Sequence, residues 1–188
     1  MTADYAPPWD TFEVLKHPPE ETHLSGLYCL ASCVRWFHRL DDRREPARSV
    51  LRRLRAVLPG KVVPKTGVIE KHIRLMADVY HLAIYRCGQS PGQDALVTDV
   101  VSTLLLATVR GLPVPCLREP PPERRYVLVL GLPDKKGRFL VADPTPAVSV
   151  TYKVPVEDFR VAWEAGATRT HKPNAVVVWK PDRSLEQC

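Results

Sequence analysis

The chain has 188 residues, of which 45% are hydrophobic and 26% charged. This is the balance of an ordinary globular protein, with length for one sizeable core. No apolar run approaches the ~18 residues that a transmembrane helix needs, and the opening MTADYAPPWDTFEV lacks the basic and apolar regions of a secretory signal, so neither is expected. The net charge of +6 is mostly arginine. Part of it falls in RREPARSVLRRLRAVLPGK (Arg43 to Lys61), which reads either as a solvated helix face or as a surface for nucleic acid or another polyanion.

In chain order, residues 1–24 read as an irregular arm. Residues 26–40 form a helix apolar on most sides, the pattern of a helix at the centre of a domain. Ser25 is its expected N-cap. A second helix runs from about Pro46 to Leu58, with Val50, Leu51, Leu54 and Leu58 as its apolar stripe and proline in its first turn. TGVIEKHIRLMADVY (Thr66 to Tyr80) is a third helix, and HLAIYRC after it alternates as a strand. DALVTDVVSTLLLATVR (residues 94–110) reads as a fourth helix stopped by Gly111, followed by a short strand, PVPCL.

Strand signals dominate the last third: YVLVLG, GRFLVADP, VSVTYKV and NAVVVWKP, with PDKKG as a hairpin turn. PVEDFRVAWEAG supplies one more helix. Helices first and an antiparallel sheet afterwards predict an α+β domain over residues 25–181, helical over 25–111 and sheet over 112–181, with a tail at 182–188. REPPPERR (Arg118 to Arg125) contains three consecutive prolines and reads as a stiff, extended surface segment.

The five cysteines (Cys29, Cys33, Cys87, Cys116 and Cys188) are odd in number and widely spaced. This argues for a reducing, cytoplasmic setting rather than a disulfide framework. Cys29 and Cys33 have no companion pair for a zinc site and read as small core residues. No metal or cofactor is expected.

Several phrases together carry a resemblance. Ser25-Gly26 opens a helix that closes on Arg35-Trp36-Phe37. TGVIEKHIRLMADVYHLAIYRC follows, then LLLATVRGLPVPCL, RYVLVLG, LVADP, a helix with Phe159 and Trp163, and a final VVVWKP. In this order they resemble the papain-like fold, and more narrowly the double-glycine-leader (bacteriocin-processing) cysteine peptidases and their stand-alone relatives. The resemblance spans roughly Ser25 to Pro181.

That family's chemistry needs a thiolate at a helix N-terminus, an imidazole to move its proton and an Asp or Asn to hold the imidazole. An upstream Gln completes the oxyanion hole. The resemblance places Ser25 at the Cys position, Arg125 at the His position and Asp143 at the Asp position. The Gln position falls among Pro19, Glu20 and Glu21. A serine without an imidazole is a poor nucleophile, and arginine, with a pKa above about 12, is no base at neutral pH. Arg125 and Asp143 would more naturally pair.

The resemblance therefore implies a catalytically silent module that binds a peptide or protein partner in its cleft, with Arg124 and Tyr126 as binding residues and REPPPERR as a rigid rim that positions Arg124 and Arg125. The alternative is an active cysteine peptidase, hydrolase or acyl transferase that uses Cys29 or Ser25 in a rebuilt site; use of Cys29 requires the helix to start one turn later, with a base such as His23. His38 lies too far along the helix to serve. A third reading is a basic adaptor for nucleic acid or another polyanion, using Arg43 to Lys61.

Overall fold

Helix α1 (Ser25–Leu40) is the axis of the structure: twelve of its sixteen residues are buried. The computed structural model describes residues 9–60, 67–86, 103–115, 117–131, 133–148, 151–167 and 175–180. Three more helices are α2 (Ala47–Ala56), α3 (Glu70–Asp78) and α4 (Val156–Ala165). The strands are β1 (Ala83–Arg86), β2 (Thr103–Val109), β3 (Arg125–Val129), β4 (Arg138–Ala142), β5 (Tyr152–Pro155) and β6 (Ala175–Trp179). They form one antiparallel sheet in the order β1-β6-β2-β3-β4-β5.

The sheet is covered on both faces. Leu104, Leu106, Leu128 and Val176 pack with α1, α2 and α3 in one core. Leu105, Ala107, Val127, Val129 and Ala175 pack with Phe159, Ala162 and Trp163 of α4 in the other. Gly166 lets the end of α4 approach β2, since a Cβ there would lie 2.7 Å from the Thr108 carbonyl oxygen.

Two-sided burial explains the main departure from expectation. Residues 103–109 are a central strand, not the end of a helix. A strand buried on both faces loses its alternation and becomes a continuous apolar run, which periodicity alone does not separate from a buried helix. The rest of that expected helix, residues 94–102, lies outside the described residues. The sheet thus takes β1 and β2 from the part of the chain assigned to helices.

The expected PVPCL strand is absent over residues 113–115: Leu112 and Val114 are buried in a loop whose two prolines have no N–H to donate. The helix expected from Thr66 is α3, which begins at Glu70. Within VSVTYKV the strand begins at Tyr152; residues 149 and 150 lie outside the described set. PDKKG is the hairpin turn between β3 and β4, closed by the Gly137 N–H on the Asp134 carbonyl at 2.8 Å.

Candidate functional site

Strand β3 runs along α1, and the two are clasped at one residue. Alternate residues along β3 and just past its end offer their backbone groups to β4: Leu128 pairs with Ala142, and the N–H of Leu130, the residue after β3, donates to the Leu140 carbonyl at 2.9 Å. Tyr126 is next in that series, but β4 does not extend so far. Helix α1 takes the strand's place. The Tyr126 N–H donates to Ser25 Oγ at 3.0 Å, and the Cys29 thiol donates to the Tyr126 carbonyl at 3.5 Å. Residues four apart share one helix face, so Ser25 and Cys29 satisfy backbone groups that burial would otherwise leave unpaired.

Gly26 makes the clasp possible. A Cβ at this position would lie 2.8 Å from Val68 Cγ1 and 2.9 Å from Tyr126 Cδ2. Ser25 is the first residue of α1 rather than its N-cap; Leu24 holds that position without a side-chain cap, because the Ser25 hydroxyl is directed to β3.

Arg125 and Asp143 form a fully buried ion pair. Arg125 Nε and Nη2 donate to Asp143 Oδ2 at 3.0 and 2.8 Å, and neither side chain is exposed. The Tyr152 hydroxyl donates to the same oxygen at 3.1 Å, and the Thr145 N–H donates to Oδ1 at 2.9 Å. Burial opposes ionisation of Asp143, but the Arg125 charge and the hydrogen bonds from Arg125 and Thr145 outweigh it, and the carboxyl is held below its ordinary range. Arg125 Nη1 reaches the Pro121 carbonyl at 3.4 Å, and Arg110 Nε donates to the Pro122 carbonyl at 3.1 Å. The proline-rich segment thus supplies acceptors to two arginines.

Cys29 lies in the second turn of α1, because the helix begins at Ser25 and not one turn later. It has no exposure, and burial raises its thiol pKa well above the usual value, with the Asp143 charge adding to the effect. A thiol so placed is held protonated. Burial raises the Cys33 thiol as well. His23 is half-buried, and its carbonyl accepts the Val68 N–H at 3.0 Å. Among the described residues no imidazole is hydrogen-bonded to Ser25 or Cys29.

Tyr126 is buried in the α1-side core. Arg124 is half-buried and precedes β3. Glu21, among the residues at the expected Gln position, is held by Arg55 at 2.9 and 2.7 Å and by the Tyr28 hydroxyl at 2.6 Å. The Arg55 hydrogen bond outweighs burial and lowers the Glu21 pKa.

Sequence reasoning missed three participants. Tyr152 could be placed on Asp143 only through the β4–β5 register. Lys16 Nζ donates to the Asp143 carbonyl at 2.6 Å, and the His17 N–H donates to the Pro144 carbonyl at 3.1 Å, so the N-terminal arm is tied to the end of β4. His17 is buried against Tyr28, with Nδ1 2.9 Å from the Pro18 carbonyl.

No family model matches the sequence, and no curated protein matches it. Solved structures do. A C39-like peptidase from Bacillus anthracis superposes with a TM-score of 0.60 at 14% identity, covering 92% of this chain and 96% of that one. The peptidase domain of ComA from Streptococcus, a bi-functional ABC transporter involved in a quorum-sensing pathway, gives 0.53 at 12% identity, over 90% of this chain and 99% of that one. The complex of the Streptococcus mutans ComA peptidase domain with a small-molecule inhibitor gives 0.51 at 13% identity, over 90% and 100%. At these identities the likeness is one of fold. The chain has the papain-like α+β fold of the C39 peptidase domains, as its ordered phrases imply.

Proposed function

We propose that the protein is a peptidase-like module without peptidase chemistry, which holds an extended peptide or a protein segment in the cleft where relatives of this fold cleave. The observation that carries this reading is the Arg125–Asp143 pair: a guanidinium that is never a base at neutral pH stands against the carboxylate that would orient an imidazole. Two further observations support it. The Ser25 hydroxyl accepts the Tyr126 N–H, and the Cys29 thiol is buried and donates to the Tyr126 carbonyl. Both candidate nucleophiles are thereby engaged in holding α1 to β3.

Binding of extended peptides along strand edges relies on backbone hydrogen bonds and side-chain pockets, neither of which requires a nucleophile. The test is affinity selection from a pooled synthetic decapeptide library, followed by amide-shift mapping on the isotope-labelled protein. Selected peptides should shift the amides of Ser25, Gly26 and Arg124 and be recovered intact. Recovery as fragments, or peptides that leave those amides unmoved, would refute the proposal.

A further inference from the structure

The other end of α1 carries a polar groove that the peptidase frame does not use. Two adjoining clefts, of about 460 and 700 Å³, share His38, Arg43, Arg44 and Glu45 as lining. The larger is walled by segments far apart in sequence: the end of α1, the 41–46 loop, Arg53 of α2, residues 79–82 after α3, and Lys180 after β6. Its size suits a small ligand.

Its carboxylates are committed to the protein. Glu45 Oε1 accepts from the Ser49 hydroxyl at 2.8 Å, and Oε2 accepts from the Tyr80 hydroxyl at 3.2 Å. Asp41 is engaged by Lys180. The arginines are held loosely. Arg53 Nε lies 3.5 Å from Glu45 and Arg43 Nε 3.9 Å from Asp41, with both side chains about 60% exposed. Arg44 makes no ion pair among the described residues. His38 Nδ1 is buried without a hydrogen-bond partner, 3.7 Å from Glu45 Oε2. The two non-glycine residues with positive φ among those described, Asp42 (56°) and His81 (54°), both line this groove. Such backbone is uncommon and clusters where a structure holds functional groups in place.

We infer that this groove is a binding site for a small phosphoryl-bearing anion, gripped by Arg43, Arg44 and Arg53. Guanidinium forks donate two parallel hydrogen bonds to phosphate oxygens, and three of them around one cavity match a multiply charged phosphoryl group better than a single carboxylate. The inference is independent of whether the peptidase frame is silent.

Calorimetric titration of the full chain with inorganic pyrophosphate tests it, using Arg43→Gln/Arg53→Gln and, as control, Arg48→Gln/Arg52→Gln. The control removes the same charge from exposed α2 positions outside both clefts. Saturable one-to-one binding, weakened at least about tenfold in the groove variant and little in the control, is the expected result. A nucleoside triphosphate that binds more tightly with the same pattern of loss would support the same site. No saturation at millimolar pyrophosphate, or equal loss in both variants, would overturn it. So would a single-stranded oligonucleotide that outcompetes pyrophosphate and is weakened equally by both variants, since that marks a general polyanion surface.

Discussion

The two ends of helix α1 contrast. At the N-terminal end the residues at the family's catalytic positions are engaged internally: Ser25 and Cys29 hold the Tyr126 backbone, and Asp143 accepts from Arg125, Tyr152 and the Thr145 N–H, while His17 Nε2 and Thr145 Oγ1 are buried without a partner. At the C-terminal end Arg43 and Arg53 are exposed and only loosely paired, beside the buried, unpartnered His38 Nδ1. Ser25, Cys29, Arg125 and Asp143 thus spend their polar groups on holding the fold together, whereas guanidinium groups at the opposite end are left available to a ligand. Fold likeness locates where chemistry occurs in relatives; the state of the polar groups says whether it is available here.

The largest break in this contrast should come from Arg125→Ala. It strands a buried carboxylate, and losing one partner of a buried pair costs about 3–5 kcal/mol, readable by urea denaturation. The pair also predicts acid sensitivity. The folded-state pKa of Asp143 is depressed below the ordinary aspartate value. Its contribution is therefore complete above the unfolded value near pH 4 and lost as pH falls through the folded value. Asp143→Asn should flatten that part of the stability–pH curve.

Gly26→Ala should cost about 1–3 kcal/mol, because its Cβ must displace Val68 or Tyr126 in a packed core. Ser25→Ala should cost roughly 1 kcal/mol or somewhat more by leaving the buried Tyr126 N–H unpaired. A Ser25→Ala variant as stable as the parent would remove the clasp from the account. At the other end of the helix, Arg44→Gln should move stability by less than about 0.5 kcal/mol, as expected for an exposed residue without a partner. A larger loss would mean that the groove is held together by its arginines rather than open to a ligand.

Much of this was legible in the sequence. The all-round apolar pattern of residues 26–40 marked the central helix, and the order of Ser25-Gly26, RYVLVLG and LVADP marked the fold and the positions of Arg125 and Asp143. Their pairing followed from charge alone. Strand β2 was not legible, because Leu104, Leu105 and Leu106 are buried on both faces and carry no period. The clasp was half-legible: the spacing of Ser25 and Cys29 puts them on one face, but their common partner appears only once β4 is seen to stop short of Tyr126. The groove was not legible, since His38, Arg43, Arg53, His81 and Lys180 converge through tertiary folding and form no local motif.

The central claim, that the catalytic frame is silent, is tested most directly by treating the full native chain with a thiol-directed peptidyl electrophile and mapping adducts by mass spectrometry, alongside assays of fluorogenic peptide cleavage. The account predicts no adduct on Cys29 or Cys33 until the protein is unfolded, no acylation of Ser25, and no cleavage above the buffer rate. Rapid labelling of native Cys29 with peptide turnover, both abolished in a folded Cys29→Ala variant, would contradict it.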